Sequence, residues 1–276
     1  MDYIKVSFKN NLEQNELLIA LLCDDFESFE ETESGINAYV AANYFSEQKI
    51  KEVILQLKES GNIFYDQTLI KDRNWNALWE SNFEPVLIGD MVYVRAPFHP
   101  VKKEIKYEIV IEPKMSFGTG HHATTSLMME EMLKMNLAGK TVLDMGCGSA
   151  ILAILASMQG AKNILAIDTD DWAFQNAIEN CERNHSQHII VQKGDVRLIG
   201  GKAFDVILAN INRNVLLDDM NEYVNALRNN GHLLISGFIE SDKEAMIRAG
   251  EKNGLLTNNS QEKNQWVMIH FQKVTS

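Results

Sequence analysis

Over the first 70 residues the spacing of apolar positions switches repeatedly between two and about 3.6. "YIKVSFK" alternates apolar and polar residues, as a half-buried strand does, and "NELLIALLCDD" then carries the spacing of a short helix. "FESFEETES" and "GINAYVAANYF" read as two more strands. In "SEQKIKEVILQLKES" Ser46 is expected to cap a helix, with Glu52 beside apolar positions at helical spacing, and "NIFYDQTLI" closes the region as a strand. The order β-α-β-β-α-β is that of a small α+β, ferredoxin-like split fold. Such a fold assigns no function by itself.

Residues 71–84, "KDRNWNALWESNFE", have the pattern of a linker helix, with Trp75 and Trp79 four apart on one face as a packing surface between domains. "PVLIGDMVYVRAP" predicts a hairpin turning at Ile88, Gly89 and Asp90. From Lys106 onward strand and helix patterns alternate. "YEIVIEP" is a strand, and "HATTSLMMEEMLKM" a helix whose Leu127, Met128, Met132 and Met135 form a core-facing stripe. Strands at 141–145, 163–168, 188–192, 204–209 and 231–237 are interleaved with helices at 150–159, 171–184, 213–228 and near 242–253, before two final strands. This predicts an α/β domain over 85–276 with a doubly wound, mainly parallel sheet ending in an antiparallel hairpin. The expected domains are therefore 1–70, a linker at 71–84, and 85–276.

A sheet of this kind binds ligands beyond the carboxyl ends of its strands. The turn "MGCGSAIL" lies there, and Gly146 and Gly148 remove Cβ atoms, so that a ligand can lie on backbone that turns to present its N–H groups. A phosphate-binding P-loop needs Lys and Ser/Thr after its glycines, and no Lys follows here. A dinucleotide fingerprint needs Gly or Ala at 151; Ile151 opposes the close helix–strand packing that admits a pyrophosphate. Asp168, 20 residues after Gly148 at the end of the next strand, is placed to accept hydrogen bonds from two ribose hydroxyls. Asp195, in "VQKGDVRL", follows a further strand, where it is either an acceptor for an adenine amino group or an ordinary loop acid. Asp170 or Asp171 is expected to cap the helix after Asp168. The pattern is a nucleoside site without a pyrophosphate cradle, as S-adenosylmethionine requires.

Composition narrows the partners. With 45% apolar and 23% charged residues the chain can bury a sizeable core. The formal net charge of −12 argues against non-specific nucleic-acid binding and membrane-surface attachment; it permits attraction to a basic partner and equally describes a solvated, solubility-favouring surface. Residues 1–58 hold eleven Asp/Glu against five Lys, a balance of −6. Cys23, Cys147 and Cys181 are odd in number and far apart, which fits a reducing cytoplasm and neither a disulfide framework nor a zinc site. No apolar run has membrane-spanning length, and the N-terminus lacks a signal-peptide pattern. The pair His121-His122 invites a metal reading, but no third ligand has suitable spacing, so no metal is expected.

Three segments in this order, "EPKMSFGTGHHATTSLMMEEM", "VLDMGCGSAILAI" and "DVILANINRNVL", closely resemble the bacterial ribosomal protein L eleven methyltransferases of the PrmA type. The resemblance spans nearly the whole chain and implies a seven-stranded, Rossmann-like sheet of the S-adenosylmethionine-dependent methyltransferase class, joined by a helix to a small substrate-recognition domain. It implies transfer of methyl groups to amino groups of a large-subunit ribosomal protein; charge and cysteine usage add the expectation of a cytoplasmic monomer with no nucleic-acid or membrane partner. Carried over by position, Thr125, Gly146, Asp168 and Asn210 are implied in cofactor binding, Gly148 with the same turn, and Asn210 in catalysis. The loop Phe117, Gly118, Thr119, Gly120, His121 and His122 would close over the methionine part and the incoming amine. Three positions depart from the family. Ala150 replaces a usual Gly, a methyl group expected to crowd the cofactor little; Asn212 replaces a common Leu beside the target-amine pocket; and His121 replaces a common Thr. The other readings are a nicotinamide-dependent oxidoreductase, opposed by Ile151 and "LANI", a methyltransferase of the same class with another protein or small amine as target, and a non-catalytic ribosome-associated module.

Overall fold

The computed structural model describes residues 2–9, 12–32, 35–57, 63–70, 84–112 and 120–274. The chain divides into two compact units, residues 1–82 and 83–276. The connector at 71–84, with Trp75 and Trp79, lies outside the described residues except for its last position, Glu84.

In the first unit, β1 (Tyr3–Lys9), α1 (Leu12–Leu22), β2 (Ser28–Thr32), β3 (Gly35–Ala41), α2 (Glu47–Gln56) and β4 (Phe64–Ile70) follow the expected order. The strands form an antiparallel sheet ordered β2-β3-β1-β4, the ferredoxin-like arrangement. Alternation in β1 puts Val6 and Phe8 on one face, opposite Ala38 and Ile36 of β3, and Leu18 and Leu22 of α1 and Ile50 and Val53 of α2 close over that face. Each of these side chains other than Ala38 contributes roughly 1.5–3 kcal/mol through burial. Ser46 has the extended backbone of a helix cap, but its side chain accepts no hydrogen bond, so the cap expected from sequence is one of backbone conformation alone.

The second unit begins with a small sheet, β5 (Val86–Ile88), β6 (Val92–Arg95) and β7 (Tyr107–Val110). The β5–β6 hairpin turns through Gly89 and Asp90, both at positive φ. β7 runs parallel to β6 here and is not a strand of the large sheet, so the alternation that begins at Lys106 joins the large sheet only from residue 141.

The large sheet contains β8 (Thr141–Met145), β9 (Asn163–Asp168), β10 (Ile190–Lys193), β11 (Phe204–Asn210), β12 (Leu227–Ile239), β13 (Leu255–Lys263) and β14 (Trp266–Lys273). Its order is β10-β9-β8-β11-β12-β14-β13, parallel as far as β12 and antiparallel through the last two strands. α3 (Ala123–Met132), α4 (Ile151–Met158) and α5 (Asp171–Arg183) cover one face, with Val142, Val206 and Leu234 beneath them. α6 (Arg213–Ala226) and α7 (Lys243–Lys252) cover the other, over Leu143, Ile207 and Leu233. Leu127, Met128 and Met132 of the α3 stripe lie in the core, with Met135 packed partly buried against it. The near-continuous apolar strands follow from burial on both faces. From β8 the chain winds outward to β9 and β10, then returns to β11 beside β8 and winds the other way. The direction reverses between β8 and β11, so the carboxyl ends of these two strands open a crevice.

Candidate functional site

A cavity of about 680 Å³ occupies that crevice. The size suits a nucleoside-type ligand with room for a second reactant. It is lined by residues from each strand end that faces it: Asp144 and Met145 of β8, Asp168 of β9, Asn210 of β11, Gly237 of β12 and Trp266 of β14.

After β8 the chain makes a tight turn in which Gly146, Gly148 and Ala150 have φ of 67°, 54° and 61°. Glycine holds this region without the Cβ penalty, and the first two positions therefore suit it. The N–H groups of Gly146 and Cys147 donate to the carbonyl of Ile167 at 2.8 and 3.0 Å, and that of Gly148 donates to Asp168 Oδ2 at 2.8 Å. The expectation that the turn offers these donors to a ligand is thus corrected: all three are used to tie the turn to β9. What the turn offers is bare backbone at Gly146 and Gly148, both of which line the cavity.

Asp168 is a hub of this arrangement. Its Oδ2 anchors Gly148 and its Oδ1 accepts from the N–H of Asp170 at 3.0 Å. Each carboxylate oxygen accepts more than one hydrogen bond, so capacity remains toward the cavity. Asp170 caps α5 through Oδ1, which accepts from Ala173 N at 2.9 Å.

Asp195 also lines the cavity, but its local partner is Arg197. The carboxylate caps the short 3₁₀ turn Val196–Ile199 by accepting from the Arg197 N–H, and pairs with the Arg197 guanidinium at 2.6–3.0 Å. Hydrogen bonds from the Arg197 side chain and backbone hold its pKa down at about 2. Asp195 is thus a loop acid with its own partners, placed on the cavity wall.

Asn210 and Thr125 come from elements 85 residues apart and meet at 3.3 Å, Asn210 Nδ2 donating to Thr125 Oγ1. With the amide nitrogen so engaged, Oδ1 is the acceptor left to the cavity. His122 caps α3, its Nδ1 accepting from Thr124 N and meeting Thr124 Oγ1 at 2.8 Å. Its ring stands edge-on to Trp266 with centroids 4.6 Å apart. His121 is held elsewhere, by the carbonyl of Glu84 at 2.7 Å, so the two histidines have separate partners. Among the described residues no group of three or more His, Cys, Asp or Glu could hold a metal ion. Gly120 packs on Val94 and is absent from the cavity wall, while Phe117, Gly118 and Thr119 lie outside the described residues. Asn212 caps α6 by accepting from Val215 N at 3.3 Å, which gives this departure from the family a structural role as well as a place on the cavity wall.

Several lining residues had no assigned role in the sequence reading. Asp144 is buried, accepts from Ala153 N at 3.0 Å, and has its carboxyl pushed up to about 7, first by burial and further by the nearby Asp168. Burial also pushes the neighbouring Cys147 thiol well up, which keeps it inert. Gly237 and Trp266 reach the cavity only because β12 and β14 are neighbours, and no local pattern marks them. Trp172 had a local signal, a tryptophan four residues after Asp168, and the structure leaves it exposed.

No helix among the described residues is long and apolar enough to cross a membrane. Residues 8–274 match the family described as ribosomal protein L11 methyltransferase (PrmA). A ribosomal protein L11 methyltransferase of Bacteroides fragilis is 44% identical over 261 residues, 93% of either chain. One of Phocaeicola vulgatus is 42% identical over 278 residues, 98% of this chain and 99% of the relative. The crystal structure of a ribosomal protein L11 methylase from Lactobacillus delbrueckii subsp. bulgaricus covers 70% of this chain and 100% of its own, with a TM-score of 0.66 at 26% identity.

Proposed function

Because this chain belongs to the ribosomal protein L11 methyltransferase (PrmA) family, we propose that it transfers methyl groups from S-adenosylmethionine to amino groups of ribosomal protein L11, lysine side chains or the N-terminal amine, with Asn210 positioning the amine. The observation that carries the chemical part is the meeting of Asn210 with Thr125 in the cavity that Gly146 and Asp168 also line.

The residues present suit this cofactor. A Cβ at Gly146 would run into Ile211 across the cavity, Gly148 holds a positive φ that favours glycine, Asp168 keeps acceptor capacity for a ribose, and the turn carries no phosphate-binding lysine. When bound, the cofactor supplies a sulfonium methyl that is already electrophilic, so the chain need not generate a reactive group. Its task is to deliver a neutral amine in line. A free lysine is mostly protonated at neutral pH, with a pKa near ~10.4, and desolvation in a closed cavity lowers it. Asn210 Oδ1 and the backbone carbonyl that follows are acceptors for the amine hydrogens, which aims the nitrogen lone pair. Orientation of this kind supplies up to roughly 7–11 kcal/mol in well-aligned cases. The amine proton leaves to water before attack.

The ferredoxin-like unit is read as the substrate-recognition domain over residues 1–70, with 71–84 as linker and 85–276 as the catalytic domain. The −6 balance of residues 1–58 supports attraction of a basic protein. The reading includes a cytoplasmic monomer without a nucleic-acid partner; the net charge of −12 and the free cysteines support it. Incubation with S-adenosylmethionine and purified ribosomal protein L11, followed by mass spectrometry of L11, should show mass increments of whole methyl groups. Unmodified L11 with cofactor bound would reject the substrate assignment, and modification that persists undiminished at high salt would reject the electrostatic part.

A further inference from the structure

Ile211 follows Asn210 and bridges the two halves of the cavity. Its side chain lies against the cofactor turn: a Cβ on Gly146 would run into Ile211 Cγ2. Its main chain lies against β12: a Cβ on Gly237 would fall on the Ile211 carbonyl oxygen, 2.7 Å from the carbonyl carbon and 3.1 Å from the nitrogen. Gly237 has φ +102° and sits where the β12–β14 register shifts between Ser236 and Phe238, an irregularity that bends the strand end beside the site. The Ile211 N–H donates to the Ser236 carbonyl at 3.1 Å, and Ser236 is fixed in turn by its hydroxyl on the Val267 carbonyl at 2.7 Å. One residue is thus held from both sides, each time at a glycine that leaves no space to spare.

We propose that Ile211 is a positioning residue: its β-branched side chain on Gly146 and its peptide over Gly237 set the separation between the cofactor turn and the amine acceptors, Asn210 Oδ1 and the Ile211 carbonyl. The inference rests on the methyl-transfer reading above and extends it to a residue whose side chain does no chemistry. The branch matters because Cγ2 is the atom on Gly146. Valine keeps that atom, leucine keeps the bulk without it, and alanine keeps neither. Gly237 matters because any side chain there would displace the Ile211 peptide and with it the carbonyl.

The test compares Ile211→Val, Ile211→Leu and Ile211→Ala in the full chain with L11 as substrate, wild type first. A displacement on the order of 1 Å costs up to ~10²-fold in rate. Ile211→Leu and Ile211→Ala should therefore lose ~10–100-fold in kcat while the calorimetric Kd for S-adenosylmethionine and the KM for L11 stay within about threefold. Ile211→Val should recover turnover to within about threefold of wild type. Gly237→Ala, where it folds, should reproduce the alanine phenotype at full cofactor affinity. Wild-type kcat in the Leu and Ala variants, or no recovery with Val, overturns the proposal. So does a loss of turnover that merely tracks a lowered melting temperature and lowered affinity. Wild type that binds cofactor and leaves L11 unmodified overturns the reading beneath it, a result visible before any variant is made.

Discussion

The two halves of the cavity are built by opposite means. The half proposed for the cofactor, the turn after β8 together with the end of β9, is a single strand–helix–strand unit tied together by backbone N–H donors: Gly146 and Cys147 donate to the Ile167 carbonyl, and Gly148 and Asp170 to the Asp168 carboxylate. The acceptor half is made of residues that no local pattern joins. Asn210 is held by Thr125, Trp266 by His122, and Ile211 by Gly146 and Gly237. A local hydrogen-bonded turn suits a ligand whose shape is constant. Side chains converging from α3, β11, β12 and β14 suit the reactant that distinguishes one methyltransferase from another. If so, the two halves should fail separately when mutated.

The largest effect is expected at Asn210. Asn210→Ala removes the amide acceptor from the acceptor half and leaves the cofactor turn intact. Turnover on L11 should fall by at least ~10²-fold, with cofactor Kd changed by no more than about threefold. Calorimetry and single-turnover kinetics read the two quantities independently. Equal loss of both would merge the halves and remove Asn210 from the amine site.

Asp168→Ala is the converse. It deletes the anchor of Gly148 and the two acceptors proposed for the ribose. Hydrogen bonds to a charged group contribute about 1.5–3 kcal/mol each, so loss of two should weaken cofactor affinity by at least roughly 10²-fold. Turnover at saturating cofactor should change far less. A variant that binds normally would mean that Asp168 serves only to hold the turn.

The difference between the halves also explains what was legible in the sequence. The glycine turn, Asp168 and its distance from Gly148 are local, and the strand and helix spacings around them are strong, because strands buried on both faces must be apolar. The ferredoxin-like unit was legible from the complementary signal, alternation in β1 and β3, whose sheet buries one face beneath its helices. Asp195 was only half legible: Arg197, two residues on, is the local partner that occupies it, and it stands in plain view in "GDVRL". β7 misled because a short apolar strand carries no mark of the sheet it joins. Gly237, Trp266 and the Thr125–Asn210 contact were illegible as physics, since each depends on which strands are neighbours. For Thr125 and Asn210, family resemblance supplied what spacing could not.

Asp144 gives a pH test of the cofactor half. Burial raises its carboxyl from 3.8 to about 7. Below pH ~4 the carboxyl is protonated in both folded and unfolded chains, and it imposes no penalty. Between pH ~4 and ~7 the unfolded chain releases the proton while the folded chain keeps it, so this group's contribution to stability falls as pH rises. Above about 7 both states are ionised and the deficit is constant. Asp144→Asn keeps an acceptor for Ala153 N and removes the titration. Its melting temperature relative to wild type should climb from pH 4 to pH 8 and then level. A difference independent of pH would mean that the carboxyl titrates normally despite its burial.

Ala150 should give the smallest effect, and it separates two accounts of the same departure. As a methyl group beside the cofactor turn, it would weaken binding, and Ala150→Gly would tighten it. The structure instead places Ala150 fully buried, off the cavity wall, and at φ 61° as the first residue before α4. A left-handed conformation costs an L-residue roughly 1–2 kcal/mol, which glycine avoids. Against this, glycine forfeits a buried methyl worth about 0.8 kcal/mol. These nearly cancel, so Ala150→Gly should gain no more than about 1 kcal/mol in denaturant unfolding, at unchanged cofactor Kd. The near-cancellation also accounts for the tolerance of alanine at this position: the core recovers most of what the backbone loses. A tighter Kd without a change in stability would show the methyl group pressing on the ligand and would return Ala150 to the cofactor half of the cavity.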